Sequence, residues 1–405
     1  MPYAHGAGYN NAKQCLHGTR VEILDEIEQW ARSTQPNVPR VSWLNGASGS
    51  GKSTIAHTIA HRFHQRNELG SFLCFDRAYL AECRHDKVFS TMARDLAYQH
   101  PEVKRSLANA IRERNWPKWT DTIQQWEHFL VKPSAHLPTD HPILLVIDAL
   151  DESGDPQSRK DLLPILANRA MELPSNVRIL ITSRPLDDIL WAFRSRVHVI
   201  SKVIDDIPES SITHDIKSYI SERLASVDDL FLDDKRLDLL VTHSEGLFQW
   251  AFVTCEFIQG GSGSRLSSPE KRFQTLANSY ATPSLDALYD TILREICLDD
   301  NEDHIQVFQI VMGQILALHE PLSLGALIAL IKQMPSGFVN VDDINLVLKH
   351  MGSLLSGITN HLVPIQPLHS SFYDYLTDPK RSKKFYIAPR AQLMIEQFGM
   401  KQFVI

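Results

Sequence analysis

Little in this chain suits a disulfide-bonded, zinc-fingered or membrane-embedded protein. Its cysteines, Cys15, Cys74, Cys83, Cys255 and Cys297, form no C-x-x-C pair, so neither a metal module nor a disulfide framework is indicated and a reducing interior suits them. No run approaches the roughly 18 apolar residues of a membrane-spanning helix, and residues 1–20 lack the apolar core of a secretory signal. A soluble cytoplasmic protein without a membrane partner is expected. Positive charge is short as well: 41 lysines plus arginines face 48 aspartates plus glutamates, a formal net charge of −7, which makes nucleic acid an unexpected partner. No period of about 20 to 50 residues recurs, which argues against a solenoid or propeller. With 43% apolar and 22% charged residues over 405 positions, what remains is a globular chain of roughly two to four domains.

Between residues 40 and 203, short β-rich runs alternate with longer helical patterns. They are VSWLN at 41–45, SFLCF at 71–75, ILLVID at 143–148, VRILIT at 177–182 and VHVIS at 197–201. Several are apolar throughout, as strands of a parallel sheet covered on both faces are. This predicts an α/β doubly wound domain over residues 39–203. Beyond Asp205 helical periodicity takes over, with Ile212, Ile216, Tyr219, Ile220 and Leu224 on one face. The stretch GGSGSRLSSP at 260–269 reads as flexible punctuation. ILALHEPLSLGALIALI at 315–331 reads as helix, proline-marked turn, helix, and HLVPIQPLHSSFYDYL at 361–376 as short strand material entering a helix. A helical domain over 204–283 and a winged-helix domain over 284–380 are expected, with 381–405 opening a further C-terminal region.

Gly46-Ala47-Ser48-Gly49-Ser50-Gly51-Lys52-Ser53 fits G-x-x-x-x-G-K-[ST], and it lies after the strand run VSWLN and before the helix opened by Thr54. Glycines let the backbone wrap a phosphate, successive N–H groups point inward, and the helix N-terminus adds about half a positive charge. Lys52 would neutralise the β and γ phosphates, and Ser53 would offer its hydroxyl to Mg²⁺. Asp148 ends an apolar strand, where packing gives no reason for a carboxylate, and beside a phosphate loop it can hold Mg²⁺. Asp151 and Glu152 follow, placed to orient or deprotonate an attacking water. Arg178 to Pro185 forms a third strand with a cationic tip, and ligands in such sheets sit beyond the carboxyl ends of strands, so Arg184 can sense the γ-phosphate. His57, His61 and His64 share a helical face, and with no acid close in sequence a surface or packing role is expected of them.

With these motifs in this order, the chain resembles the NACHT family of signal-transduction P-loop NTPases of the STAND class, particularly fungal NOD-like receptor proteins and nephrocystin-like P-loop domains. Cys15 to Arg20, followed by an amphipathic helix ending in Trp30, resembles the segment that packs on the adenine in related ATPases. That implies an N-terminal segment and adenine-side helix over 1–38, with Thr19 and Arg20 at the nucleotide. D-A-L-D-E at 148–152 is similar to the family's second motif, and Ser183-Arg184-Pro185 to its sensor strand end. Glu245 to Ala251 resembles the helical-domain signature, without the proline that touches adenine in other relatives, and Leu368 to Leu376 resembles the winged-helix signature. The resemblance implies sheet order 5-1-4-3-2. It also implies a switch in which ADP, bound by Gly46 to Thr54 and by a hydrogen bond from His369 to the β-phosphate, holds the domains closed until ATP exchange releases them for self-assembly. Family members continue into WD40, ankyrin or other repeats and often begin with an effector domain, neither of which this chain matches. The resemblance further implies an upstream ligand and a downstream effector as partners.

Two other classes share parts of the pattern. A remodelling ATPase of the AAA type would carry the same three motifs and turn over quickly, whereas a switch would hydrolyse slowly. A winged-helix regulator would put Lys380-Arg381-Ser382-Lys383-Lys384 on DNA, although a charge run of that length usually marks a solvated face. GTP is possible within the family, but no N-K-x-D guanine motif occurs, so ATP and ADP are favoured.

Overall fold

The computed structural model describes residue 4 and residues 8–35, 37–76, 87–113, 121–227, 232–260, 268–279, 284–297, 302–318, 320–332, 341–358 and 363–388. Cys83, most of the 260–269 stretch, residues 361–362 and the chain end from 389 lie outside them. The chain divides into two units, Met1–Ala47 with Gly51–Pro208, and Ser48–Ser50 with Glu209–Ile405.

Five parallel strands build the first unit: β1 (Val41–Asn45), β2 (Leu69–Cys74), β3 (Ile143–Asp148), β4 (Val177–Ser183) and β5 (Val199–Val203). Their order is β2-β3-β4-β1-β5, which is the 5-1-4-3-2 order read from the opposite edge, and it is that of the P-loop NTPase fold. β5 starts two residues later than the apolar run VHVIS, because Val197 is exposed and pairing with β1 begins at Val199 opposite Val41.

Alternation along the buried strands sends side chains to two separate cores. Leu44, Leu144, Val146 and Leu180 meet Ile27 and Trp30 of α1 (Val21–Arg32) and Ile55, Ile59 and Phe63 of α2 (Lys52–Gln65), the last three spaced four residues apart on one helical face. Trp43, Leu145, Ile147, Ile179 and Ile181 point the other way, onto Phe89, Met92 and Leu96 of α3 (Val88–Gln99) and onto Trp126 and Phe129. Both faces are therefore covered, as the unbroken apolar strand runs require. Because the strands are parallel, their carboxyl ends share one edge of the sheet. Register places Asn45 opposite Ser183 and Cys74 opposite Asp148, and the pairing of Ile147 with Ile181 brings Thr182 alongside Asp148.

The second unit is mostly helical around a single core. Its helices include Glu209–Leu224, Asp234–His243, Phe248–Gln259, Leu285–Ile296, Glu302–Ala317, Leu324–Lys332, Val341–Lys349 and Ser370–Leu376. The expected helix, turn, helix over 315–331 is present, and so is the strand entering a helix, as a two-stranded antiparallel ribbon of β6 (Leu355–Ser356) and β7 (Gln366–Pro367). Among the described residues no helix is long and apolar enough to cross a membrane.

Candidate nucleotide site

Immediately after β1 the chain turns through the glycine-rich loop into α2. Gly49 and Gly51 have φ of 82° and 95°, a left-handed backbone that glycine adopts without steric cost, and Gly51 forms the N-cap of α2. Lys52 opens the helix with its ammonium folded back onto the loop, donating to the carbonyls of Gly46 (2.9 Å) and Ala47 (2.6 Å). Burial lowers its pKa, and the nearby Asp151 and Asp148 carboxylates oppose that shift. Ser53 and Thr54 follow in the first turn, both half-buried. The loop, the start of α2 and one ammonium thus meet at the carboxyl end of β1, the arrangement by which helix N-termini bind phosphate.

Asp148 ends β3 fully buried. Thr182 at the end of β4 donates its hydroxyl to Asp148 Oδ1 and accepts the backbone N–H of Ala149 at 3.0 Å, so the hydroxyl's orientation is fixed from both sides. Ala149 takes φ of 55°, a left-handed conformation costly for a side chain and found where a site over-determines the backbone. Hard oxygen donors, here the carboxylate of Asp148 and the hydroxyl of Ser53, are the kind Mg²⁺ takes.

Arg184 and Asp151 meet each other. Arg184 donates its backbone N–H to Asp151 Oδ1 (3.0 Å) and its Nε–H to Oδ2 (2.6 Å), with the Asp151 side chain 4% and the Arg184 side chain 21% exposed. The loop carrying Asp151 and Glu152 is braced by buried Arg159, which donates to the carbonyls of Asp151 and Gly154 and pairs with Asp188 at 2.8 Å. Thr19 and Arg20 are buried just before α1. The Thr19 hydroxyl donates to the Leu16 carbonyl at 2.8 Å, and Arg20 sits at the helix start with φ of 57°.

Within the second unit, His369 is the N-cap of the helix Ser370–Leu376. Its Nδ1 accepts the Ser371 N–H at 3.1 Å and lies 2.6 Å from the Ser371 hydroxyl, which is 2.8 Å from the Tyr289 hydroxyl. A backbone amide can only donate, so the proton of the neutral ring is on Nε2. In the segment 245–251, Glu245 and Gly246 take positive φ, Leu247 is the N-cap of the helix Phe248–Gln259, and Trp250 is buried.

Sequence reasoning missed the partners that organise these groups: Arg159 behind the 150–154 loop, and His57, Cys74 and Thr182 around Asp148. For Thr182 and Cys74 the signal existed, because the sheet order places both beside the end of β3. His57 has no local cue. It is buried, stacked on Phe72 (centroids 4.7 Å apart), and the acid missing from its own neighbourhood in sequence arrives from β3, with Nε2 4.0 Å from Asp148 Oδ2.

Residues 18–184 match the family described as Nephrocystin 3, N-terminal. No curated protein matches the chain. Among solved structures, the chain is similar to the Walker-type ATPase of Pyrococcus abyssi, with 10% identity, 91% of this chain and 96% of that one covered, and a TM-score of 0.40. It is also similar to domain III of the Thermotoga maritima replication initiation protein DnaA, with 12% identity, 68% and 99% covered, and a TM-score of 0.38. Drosophila ORC bound to DNA is similar at 13% identity, with 95% of each chain covered and a TM-score of 0.35.

Proposed function

We propose that this protein, whose residues 18–184 match the Nephrocystin 3, N-terminal family, is a nucleotide-dependent signalling switch that binds ATP or ADP with Mg²⁺. The observation that carries the reading is the presence of the glycine-rich loop and Lys52 at the head of α2 together with buried Asp148 at the carboxyl end of β3. In this reading the amides of Gly46 to Thr54 and the Lys52 ammonium hold the phosphates, Ser53 and Asp148 hold Mg²⁺, and Thr19 and Arg20 flank the base. Mg²⁺, when bound, neutralises phosphate charge. Asp151 and Glu152 orient the water.

A switch needs a contact that differs between its two nucleotides. Arg184 supplies one: held by Asp151 in the structure, it changes partner when a γ-phosphate is present and keeps it when only ADP is bound. The second is His369: its Nδ1 accepts the Ser371 N–H, which puts the proton of the neutral ring on Nε2, the atom that in this reading donates to the β-phosphate. A hydrogen bond to a charged group is worth roughly 1.5–3 kcal/mol, whereas full switching takes about 5.5 kcal/mol, so His369 is one part of the latch. Residues 204–283 serve as the helical domain and 284–380, with its β6–β7 ribbon, as the winged helix, and opening leads to self-assembly in the cytoplasm.

The test is the nucleotide carried by the purified protein and its exchange rate. Lys52→Ala abolishes binding and His369→Ala speeds ADP release about ten- to a hundred-fold. Tight ATP or ADP binding by the Lys52 variant would falsify the site. Rapid steady-state turnover by the wild type would instead favour a remodelling ATPase.

A further inference from the structure

His57, Cys74 and Asp148 bring one ligand atom each within 4.8 Å of one another, which at first sight is a transition-metal set. The hydrogens decide otherwise. His57 Nδ1 lies 3.0 Å from the backbone nitrogen of Asn10, and since an amide only donates, Nδ1 holds a lone pair there. The proton of the neutral ring is therefore on Nε2, the atom facing Asp148, and a protonated nitrogen cannot ligate a metal. The Cys74 thiol lies 3.3 Å from the same carboxylate oxygen and 3.4 Å from the Phe75 carbonyl, the two acceptors in its reach. Thr182 donates its hydroxyl to Oδ1. Groups from three elements thus face one carboxylate, with Thr182 holding Oδ1 and His57 and Cys74 beside Oδ2. The His57 approach, at 4.0 Å, is a dipole aimed at an anion rather than a full hydrogen bond.

What aims His57 is the N-terminal segment. The Asn10 side chain caps the turn Asn11–Lys13 by accepting the Ala12 N–H at 2.9 Å, leaving its own N–H for His57. Nearby, Cys15 donates its N–H to the Thr58 hydroxyl at 2.8 Å, and the Tyr9 ring packs against Phe72 and His64. Residues 9–15 thus lie along α2 through contacts that fix the imidazole between Asn10 and Asp148. Phe72 closes its face.

We propose that His57 is a positioning residue for Asp148, through which the N-terminal segment sets how strongly bound nucleotide recruits Mg²⁺. This rests on the phosphate-site reading above. Positioning groups behind a metal ligand typically change metal affinity about 10- to 100-fold.

The experiment uses the full chain, stripped of nucleotide, and a fluorescent ADP analogue titrated in EDTA and then at increasing Mg²⁺. His57→Phe keeps the stacking on Phe72 and removes both nitrogens. It is expected to bind the analogue in EDTA within about twofold of wild type while the Mg²⁺ midpoint rises about tenfold. His57→Gln, which restores a donor near the Nε2 position, recovers most of the Mg²⁺ response. His57→Asn, which can only answer Asn10, does not, and this pair carries the test should the Phe variant fail to fold. An unchanged Mg²⁺ midpoint in His57→Phe and His57→Asn overturns the proposal. So does an equal loss in EDTA and Mg²⁺, which would make His57 mere packing under α2, and so does stoichiometric Zn²⁺ binding by wild type that His57→Phe abolishes. Failure of the underlying site looks different: wild type then binds no analogue in either buffer.

Discussion

Asp151 and Arg184 hold opposite charges against each other at the carboxyl edge of the sheet, and the pair's value to a switch lies in its being breakable. Arg184 has 21% of its side chain exposed and reaches Asp151 through Nε, so a phosphoryl group can compete with that carboxylate. Asp151→Asn removes the competitor's charge and should raise the affinity for ATP relative to ADP. Arg184→Ala removes the sensing group and should lower it. A charge-assisted hydrogen bond of roughly 1.5–3 kcal/mol sets the scale at about ten- to a hundred-fold in the ATP to ADP ratio. Competition binding with both nucleotides measures it, and a ratio that stays put in both variants removes Arg184 from the switch. The pairing was not legible in the sequence: Asp151 and Arg184 each stand in a motif, but their meeting depends on β3 and β4 being neighbours and on Arg159 bracing the loop from a short helix with no motif at all. Asp148, by contrast, announced itself, because a carboxylate at the end of ILLVID has no packing use.

At the scale of elements, the close fit of β2 against β3 and α3 governs where Cys74 and Asp148 end up. Pairing between β2 and β3 shifts register between Leu69 and Ser71, and Gly70 sits at that irregularity. A methyl group on Gly70 would lie 2.8 Å from Ile143 Cγ2 and 2.9 Å from Leu96 Cδ2, closer than real contacts allow. Gly70→Ala should therefore cost about 1–3 kcal/mol, seen as a lower urea midpoint at unchanged slope. Wild-type stability in that variant would mean α3 packs more loosely on the sheet. The strands themselves were readable because burial on both faces leaves runs such as ILLVID and VRILIT without polar interruption. β5, an edge strand, lacks that constraint on its outer side, with Ser201 through Val203 only partly buried or exposed, and its limits were accordingly displaced by two residues. The shift in β2 has a similar origin, since Leu69 and Gly70 give no alternation to read. For the helices of the second unit, periodicity located the elements but not their tertiary grouping, which a single chain's pattern does not encode.

For the whole molecule, the distribution of apolar cores decides how the chain should respond to its ligand. Both cores flanking the sheet draw their residues from between Ala4 and Ile204, and the core of the second unit from between Ile216 and Ile387. Each unit therefore holds its own apolar stabilisation, and calorimetry of the full chain should resolve contributions from both. Lys52 and Asp148 belong to the first unit, so Mg²⁺–ADP should raise the transition of that unit. At a free concentration of about 100 times Kd, ligand linkage contributes about 2.7 kcal/mol. A domain of this size moves roughly 2–4 °C per kcal/mol, which gives a rise of about 5–11 °C. Omitting Mg²⁺ should reduce the rise, and Lys52→Ala should abolish it while leaving both transitions of the ligand-free protein in place. If the wild type binds nucleotide and only the transition of the second unit moves, the phosphates are held somewhere other than the loop at the head of α2.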